Sequence, residues 1–294
     1  MSNILVIGDS IIDHYVYGSV NRQSPEDFTI PVVDIESEEY RLGGCLNVAS
    51  NLASLAQYDK IHVSSFISSF TKNLLQSKGI DSSMSFCVPS RVHKPADYEL
   101  LKLRVINSES KKQLIRLDNR KGIEDDVIAF YKSCVREFDF GYFDAIVVSD
   151  YNKGLINQEV IAKLASFRGP IFIDTKKEDL TIWNKLHQPI VKINDKEFSS
   201  CTGKESIRNL IVTMGSEGCS CYRAGVETLH CDEDEFIFDP DVIGAGDVFL
   251  AAFTLKYTES KCLKLSMEYA NKVAGISVTK KGTCEVTYEE ANER

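Results

Sequence analysis

Asn3-Ile4-Leu5-Val6-Ile7-Gly8-Asp9 opens the chain with four consecutive apolar residues and closes the run on a glycine and a carboxylate. Alternating apolar and polar residues would mark a strand wetted on one face. An unbroken run marks a strand covered on both. The pattern returns at residues 61–66, 145–148, 170–173, 189–193 and 210–212. Stretches of helical period lie between these runs, for example residues 47–55, 158–165 and 247–256. Repetition of strand, helix and strand predicts an α/β fold around a parallel sheet with right-handed crossovers.

Five of the runs end alike, at Asp9, at Ser149-Asp150, at Asp174, at Asn194 and at Thr213. Taken singly, each is also an ordinary turn starter or helix cap. Taken together they predict a site, because ligands of open α/β sheets bind outside the carboxyl ends of the strands. Two segments break the rhythm. Residues 16–41 hold extended β-branched stretches, and residues 98–118 read as two strands around a polar turn, with Lys102 and Arg104 on one face. They predict a small β-flap beside the sheet.

The 294 residues carry 34 basic and 43 acidic side chains, a net charge of −9. That balance argues against nucleic acid or an anionic membrane as a partner, while leaving room for a small anionic ligand. Nine cysteines, an odd number without zinc-type spacing, read as reduced thiols in a cytoplasmic protein. The start lacks a basic leader, and no run reaches the ~20 apolar residues of a membrane span. One domain over residues 1–294 is expected.

Asp241-Val242-Ile243-Gly244-Ala245-Gly246-Asp247 precedes a helical stretch. Its two glycines permit a tight turn with several N–H groups aimed at one spot, and the helix N-terminus adds a positive dipole end. Asp247 beside such an anion hole is placed to take a proton from a substrate hydroxyl, a pairing suited to phosphoryl transfer. Other phosphate motifs fail. Gly203-Lys204 is followed by Glu205 rather than Ser or Thr, and Phe249 stands where a dinucleotide fingerprint needs its third glycine. Asn194-Asp195-Lys196-Glu197 reads as a capping box, or as an acidic group holding hydrated Mg²⁺ against phosphates. Gly43-Gly44 with Asn47 allows close approach to a polyhydroxyl ligand, and Asp13 suits sugar hydroxyls.

As a set these motifs resemble the ribokinase or phosphofructokinase-B type carbohydrate kinases. Asp241–Asp247 is similar to the family's C-terminal signature, Gly43-Gly44-x-x-Asn47 to its N-terminal one, and Asn194-x-x-Glu197 to its magnesium and phosphate motif. Within that family Gly8–Tyr15, Asn21–Glu26, Arg41–Gly44, Lys102–Val105, Gln113–Asp118 and Ser149–Gly154 look most like the heptose 7-phosphate kinases. The resemblance implies a ribokinase-like three-layer sandwich with a lid formed by about residues 14–40 and 98–118. It implies ATP-dependent phosphorylation of D-glycero-D-manno-heptose 7-phosphate to the 1,7-bisphosphate. Another sugar, a nucleoside, or a sugar-binding homologue without turnover are the alternatives.

By matched position, Asp247 is then the base, and Gly244, Ala245 and Gly246 are the anion hole. Asp13, Gly43, Gly44, Asn47 and Asp150 hold the sugar, and Lys102, Arg104 and Lys153 its phosphate, which fits their expected exposure on one flap face and at a strand end. Asn194, Glu197, Thr213, Gly215, Gly218 and Asn271 serve the nucleotide, with Glu197 reaching Mg²⁺ through water. A monovalent cation and a homodimer paired through the lid complete the expectation. The short interval from Asn194 to Thr213 implies a missing helix on the nucleotide side.

Overall fold

The computed structural model describes residues 2–88, 99–118, 123, 125–232, 237 and 239–293. The strands are β1 (Asn3–Gly8), β2 (Ser10–Gln23), β3 (Pro31–Gly44), β4 (Lys60–Ser64), β5 (Phe66–Ser68), β6 (Phe86–Val88), β7 (Leu100–Asn107), β8 (Gln113–Asp118), β9 (Ala145–Asp150), β10 (Ile171–Thr175), β11 (Pro189–Asn194), β12 (Asn209–Thr213), β13 (Cys219–Arg223) and β14 (Val226–Cys231). The helices are α1 (Cys45–Leu55), α2 (Ser69–Ser77), α3 (Asp125–Arg136), α4 (Gln158–Leu164), α5 (Asp195–Ser200), α6 (Ala245–Ser260), α7 (Leu263–Ser277) and α8 (Tyr288–Asn292).

The apolar runs become adjacent strands of an eight-stranded sheet ordered β14-β13-β12-β11-β10-β9-β1-β4. Pairing is parallel from β4 to β12 and antiparallel through β13 and β14. Period two sends alternate residues to opposite cores. Ile4 and Val6 of β1, Ala145 and Val147 of β9, and Ile211 of β12 join the core under α1, α6 and α7. Leu5, Ile7, Ile146, Val148, Leu210 and Val212 join the other, with Tyr131 and Val135 of α3 and Val160 of α4. Helices therefore cover both faces, the three layers of a ribokinase-like α/β fold.

A second sheet, β3-β2-β7-β8, is built from the two segments without helical period. Its strands begin at Ser10 and run to Gly44, wider than residues 14–40, because only Asp9 separates β2 from β1. Position 98 lies outside the described residues. Two further boundaries differ from expectation. The run 61–66 is split, because the Ser65 hydroxyl donates to the Gly8 carbonyl at 2.6 Å and Phe66 then pairs with Phe86 in a separate ribbon. Helix α1 starts at Cys45 rather than residue 47. Gly44 takes a left-handed φ of 59° and the Cys45 N–H donates to the Asp9 carbonyl, which places Asn47 inside the helix.

Candidate active site

The carboxyl ends of β12, β11, β10, β9 and β1 stand side by side. Thr213 pairs with Asn194, Lys192 with Asp174, Thr175 with Asp150, and Ser149 with Gly8. Above this rim sits the start of α6. Gly244 has φ 78°, and a Cβ there would lie 2.8 Å from Asn47 Nδ2. Gly246 is pressed onto Lys192, whose ammonium would meet a Cβ at 2.7 Å. The N–H groups of Gly244 and Gly246 have no partner among the described residues, while that of Ala245 reaches Val242 in a long 3.3 Å bond. The free amides of Gly244 and Gly246 thus stand at a helix N-terminus, a position that favours negative charge.

Asp247 is only 4% exposed. Its Oδ2 accepts from Asn47 Nδ2 at 2.9 Å and its Oδ1 from the Tyr151 hydroxyl at 3.0 Å. Burial pushes its pKa up to about 6, with the Asp174 charge adding to the rise and Asn47, Lys192 and Tyr151 opposing it. Beneath the turn, the buried Lys192 donates to Asp174 Oδ2 at 2.7 Å and to the Gly246 carbonyl at 3.3 Å, fastening the loop to the sheet. Burial pushes Asp174 up as well, but Lys192 and Lys176 outweigh it and hold that carboxyl below its ordinary value. Lys176 also bridges Asp174 to Glu197.

At the other side of Asp247, the rim and the flap meet. Asp9 Oδ2 accepts the N–H groups of Tyr151 and Lys153 at 2.8 and 3.1 Å, and burial, reinforced by Asp150, pushes its pKa to about 6. Asp150 is committed to the loop after β9, accepting from Thr175 at 2.9 Å and pairing with Lys177 at 3.2 Å. Asp13 is buried 3.6 Å from Arg104 Nε. A Cβ on Gly43 would lie 2.3 Å from Asp13 Oδ2, so the glycine is what admits the carboxylate. Asp9 Oδ1, Asp13 Oδ1, Arg104 Nε and Ser149 Oγ are all buried without a hydrogen bond. Asp13 Oδ1 and Arg104 Nε have each other as ion-pair partners at 3.6 Å, while Asp9 Oδ1 and Ser149 Oγ stand unmet at the neighbouring carboxyl ends of β1 and β9, where a polar ligand would relieve the cost.

Lys102 and Arg104 share a face of β7, but the expectation that both are exposed is overturned. Arg104 is 6% exposed and pairs with Asp13 on the neighbouring strand β2, and Lys102 is half-buried with its ammonium 4.9 Å above the Tyr151 ring. Burial lowers the Lys102 pKa, against the pull of Asp13 and Asp247. Arg104 also faces Arg116 across β7 and β8, a like-charge pairing that weakens the flap unless an anion offsets it.

On the opposite side, Asn194 and Glu197 form the capping box, each side chain bonded to the other's N–H at 2.8 and 2.9 Å. Lys176 donates to the second oxygen of Glu197, so each oxygen already accepts one hydrogen bond and keeps one lone pair for a further donor such as a metal-bound water. Among the described residues no group of three acidic, histidine or cysteine side chains forms a metal cage. Resident magnesium does not fit these residues. Thr213, Gly215 (φ 58°) and Gly218 (φ 75°) build the turn from β12 into β13. The interval from Asn194 to Thr213 holds the six residues of α5 and a short 3-10 turn. Asn271 on α7 donates to the carbonyls of Cys231 and Asp232 at 3.1 and 3.3 Å, and Cys231 pairs with Cys219 at the same end of the sheet as Thr213.

Tyr151, Lys192 and Lys176 were not singled out from the sequence. Lys192 had a signal, a lone charge inside the apolar run 189–193, and Tyr151 and Lys176 closely follow strand-end aspartates.

The profile of the pfkB family carbohydrate kinases matches residues 1–290. "Bifunctional protein HldE" of Helicobacter pylori (strain J99) is 30% identical over 99% of this chain and 65% of its own length. The protein of the same description from a Nitratiruptor species is 30% identical over 99% and 64%. The chain thus spans just under two thirds of the length of these curated relatives. Among solved structures, Escherichia coli phosphofructokinase-2 in complex with potassium superposes with a TM-score of 0.74 at 16% identity, covering 100% of this chain and 98% of that one. Arabidopsis thaliana ribokinase complexed with ribose and ATP gives 0.70 at 16%, covering 99% and 98%. These two show the shared fold. The match over nearly the whole chain, together with the buried aspartate at the glycine turn, establishes that the chain belongs to the pfkB family of carbohydrate kinases and is a kinase.

Proposed function

We propose that the chain transfers the γ-phosphoryl group of ATP to the anomeric hydroxyl of D-glycero-D-manno-heptose 7-phosphate. The observation that carries the reading is Asp247, buried with a pKa of about 6 directly beside the partnerless amides of Gly244 and Gly246. At pH 7 roughly 90% of such a carboxyl is ionised, yet its pKa lies near enough to neutrality to accept a hydroxyl proton. The amides and the α6 dipole stabilise charge on the transferring phosphoryl, so the work is positioning plus electrostatics.

The buried acceptors Asp9 and Asp13, with Asn47, Asp150, Gly43 and Gly44 around them, suit the sugar hydroxyls. Lys102, Arg104 and Lys153, with Arg116 behind them, suit the phosphate the sugar already carries. Asn194, Thr213, Gly215, Gly218 and Asn271 are assigned to the nucleotide. Magnesium enters as part of the nucleotide substrate, with Glu197 touching only its water; a monovalent cation belongs to the same proposal. So do a lid action of the four-stranded sheet, a dimer paired through it, and a cytoplasmic setting without nucleic acid or membrane partners. Among the described residues no helix is long and apolar enough to cross a membrane.

A second reading has an observation of its own. Arg104 is tied to Asp13 and to Gln113, which leaves fewer donors for a phosphate and favours an unphosphorylated sugar or nucleoside. Coupled ADP release over a panel of sugars, sugar phosphates and nucleosides separates the two. The heptose 7-phosphate should give the highest kcat/KM, and Asp247→Asn should lower kcat about 10²- to 10⁴-fold while ATP binding survives. Higher turnover with a neutral acceptor overturns the substrate, and near wild-type kcat in Asp247→Asn overturns the base.

A further inference from the structure

We infer that the chain carries a second anion site, at the end of the sheet opposite Asp247, shaped for a small organic molecule with two or more phosphoryl groups. A cleft of about 700 Å³ opens where β10, β11 and β12 begin, between the β13–β14 hairpin and the turn from α6 to α7. Arg168, Arg208, Arg223, Lys261 and Lys264 line it, and no carboxylate does. In a chain with net charge −9, five cations sharing one concavity without an acid is a strong separation of charge.

Elsewhere on the surface basic groups find acids, as Lys132 and Arg136 both find Glu159. Here Arg168, Arg208, Arg223 and Lys261 form no ion pair among the described residues, and Lys264 reaches Glu268 only at 3.7 Å. Arg223 is anchored instead by donating from Nε to Asn209 Oδ1 at 3.1 Å. Like charges held together repel, and an anion between them relieves that repulsion.

A separate feature points the same way. Helix α7 starts at the cleft, with Cys262, Leu263 and Lys264 in its wall. Its N-cap offers no side-chain acceptor and its first turn holds no acid, so its leading N–H groups and positive dipole end add to the five cations. The remaining walls include Ile190, Leu229, Tyr257 and Leu263, apolar surface that a bare inorganic ion would not use. The volume falls within the ~300–1,000 Å³ of organic ligand pockets. A concave cleft in an acidic chain excludes an extended polyanion. Strands of five or six residues separate this end from the Asp247 rim by roughly 15–20 Å at ~3.3 Å per residue. The site is thus distinct from the one assigned to catalysis and stands or falls without it.

The test is equilibrium dialysis at low salt with inorganic triphosphate, ATP and fructose 1,6-bisphosphate as separate probes. The proteins are wild type, Asp247→Asn, and the triple variant Arg168→Gln/Arg208→Gln/Arg223→Gln, each checked by thermal melting. Lys261→Gln/Lys264→Gln, at the other wall, serves if the triple variant fails to fold. The expected result is one cleft site per chain for at least one organic phosphate, counted beyond any nucleotide held at the Asp247 rim, unchanged in Asp247→Asn and weakened at least tenfold in the cleft variants. Unchanged stoichiometry and affinity in the cleft variants overturns the site. Triphosphate binding as tightly as both organic probes overturns the ligand class.

Discussion

Replacing Tyr151 by phenylalanine removes one hydroxyl and, with it, one of the two donors that hold the Asp247 charge. The ring stays in place beneath the ammonium groups of Lys102 and Lys176, at 4.9 and 5.8 Å. A hydrogen bond to a charged group contributes about 1.5–3 kcal/mol, and one pKa unit corresponds to 1.36 kcal/mol. The loss therefore raises Asp247 by about one to two units from its value of about 6. At pH 7 its ionised fraction drops from roughly 0.9 to between about 0.1 and 0.5, and by pH 9 it recovers to roughly 0.9 or more. The assay is kcat/KM for the sugar acceptor from pH 5 to 9.5 at saturating ATP and magnesium. Wild type should show a rising limb near pH 6, and Tyr151→Phe the same limb moved one to two units higher, with most activity regained at pH 9. Any ionisation of the nucleotide titrates identically in both proteins and cancels from the comparison. A Tyr151→Phe limb that superimposes on the wild-type limb, or an activity loss independent of pH, refutes Asp247 as the titrating base.

Three further outcomes follow from neighbouring contacts. Lys192→Met leaves the buried Asp174 with only its longer 3.6 Å contact to Lys176, at a cost of up to about 3–5 kcal/mol in urea unfolding, and Lys192→Met/Asp174→Leu should regain at least half of it; a double variant no better than the single rejects the charge argument. Gly244→Ala forces a Cβ into a left-handed position 2.8 Å from Asn47 Nδ2, adding about 1–2 kcal/mol of strain and displacing the Asp247 donor, so kcat should fall at least tenfold in steady-state assays. Asp9 has its pKa raised by burial from 3.8 to about 6, so between those values the native state holds the proton that the unfolded state releases, and stability falls as pH rises through that window. Asp9→Asn removes that dependence, so its stability relative to wild type should climb from pH 4 to pH 7 by up to about 3 kcal/mol. A difference that is flat or reversed across that range contradicts it.

What could be read from sequence divides along a physical line. The sheet was legible because both faces of β1, β9, β10, β11 and β12 are buried, and double burial demands unbroken apolar runs whatever the partners are. The glycine turn was legible because φ 78° at Gly244 and the close approach at Gly246 restrict the residue type directly. The split of 61–66 was not, since Ser65 leaves the sheet through a hydrogen bond to Gly8, a residue 57 positions away. The exposure of Arg104 was misread for a related reason. Period two assigns Lys102 and Arg104 to the same face but is silent on what surrounds that face: Asp13 stands beside them on the neighbouring strand β2, and the Tyr151 ring lies under the Lys102 ammonium.

Lys192 and Asp174 carry the point furthest. Read singly, the lysine is a fault inside one apolar run and the aspartate the polar end of another. They sit in parallel register, so each is the other's partner, 2.7 Å away. An apolar pair there would cost less to bury. It would not donate to the Gly246 carbonyl, and the turn that positions Asp247 would lose its tie to the sheet. The charges that weaken the sheet pattern are the ones that tie the glycine turn to it, so the sequence is least regular beneath the turn proposed for catalysis.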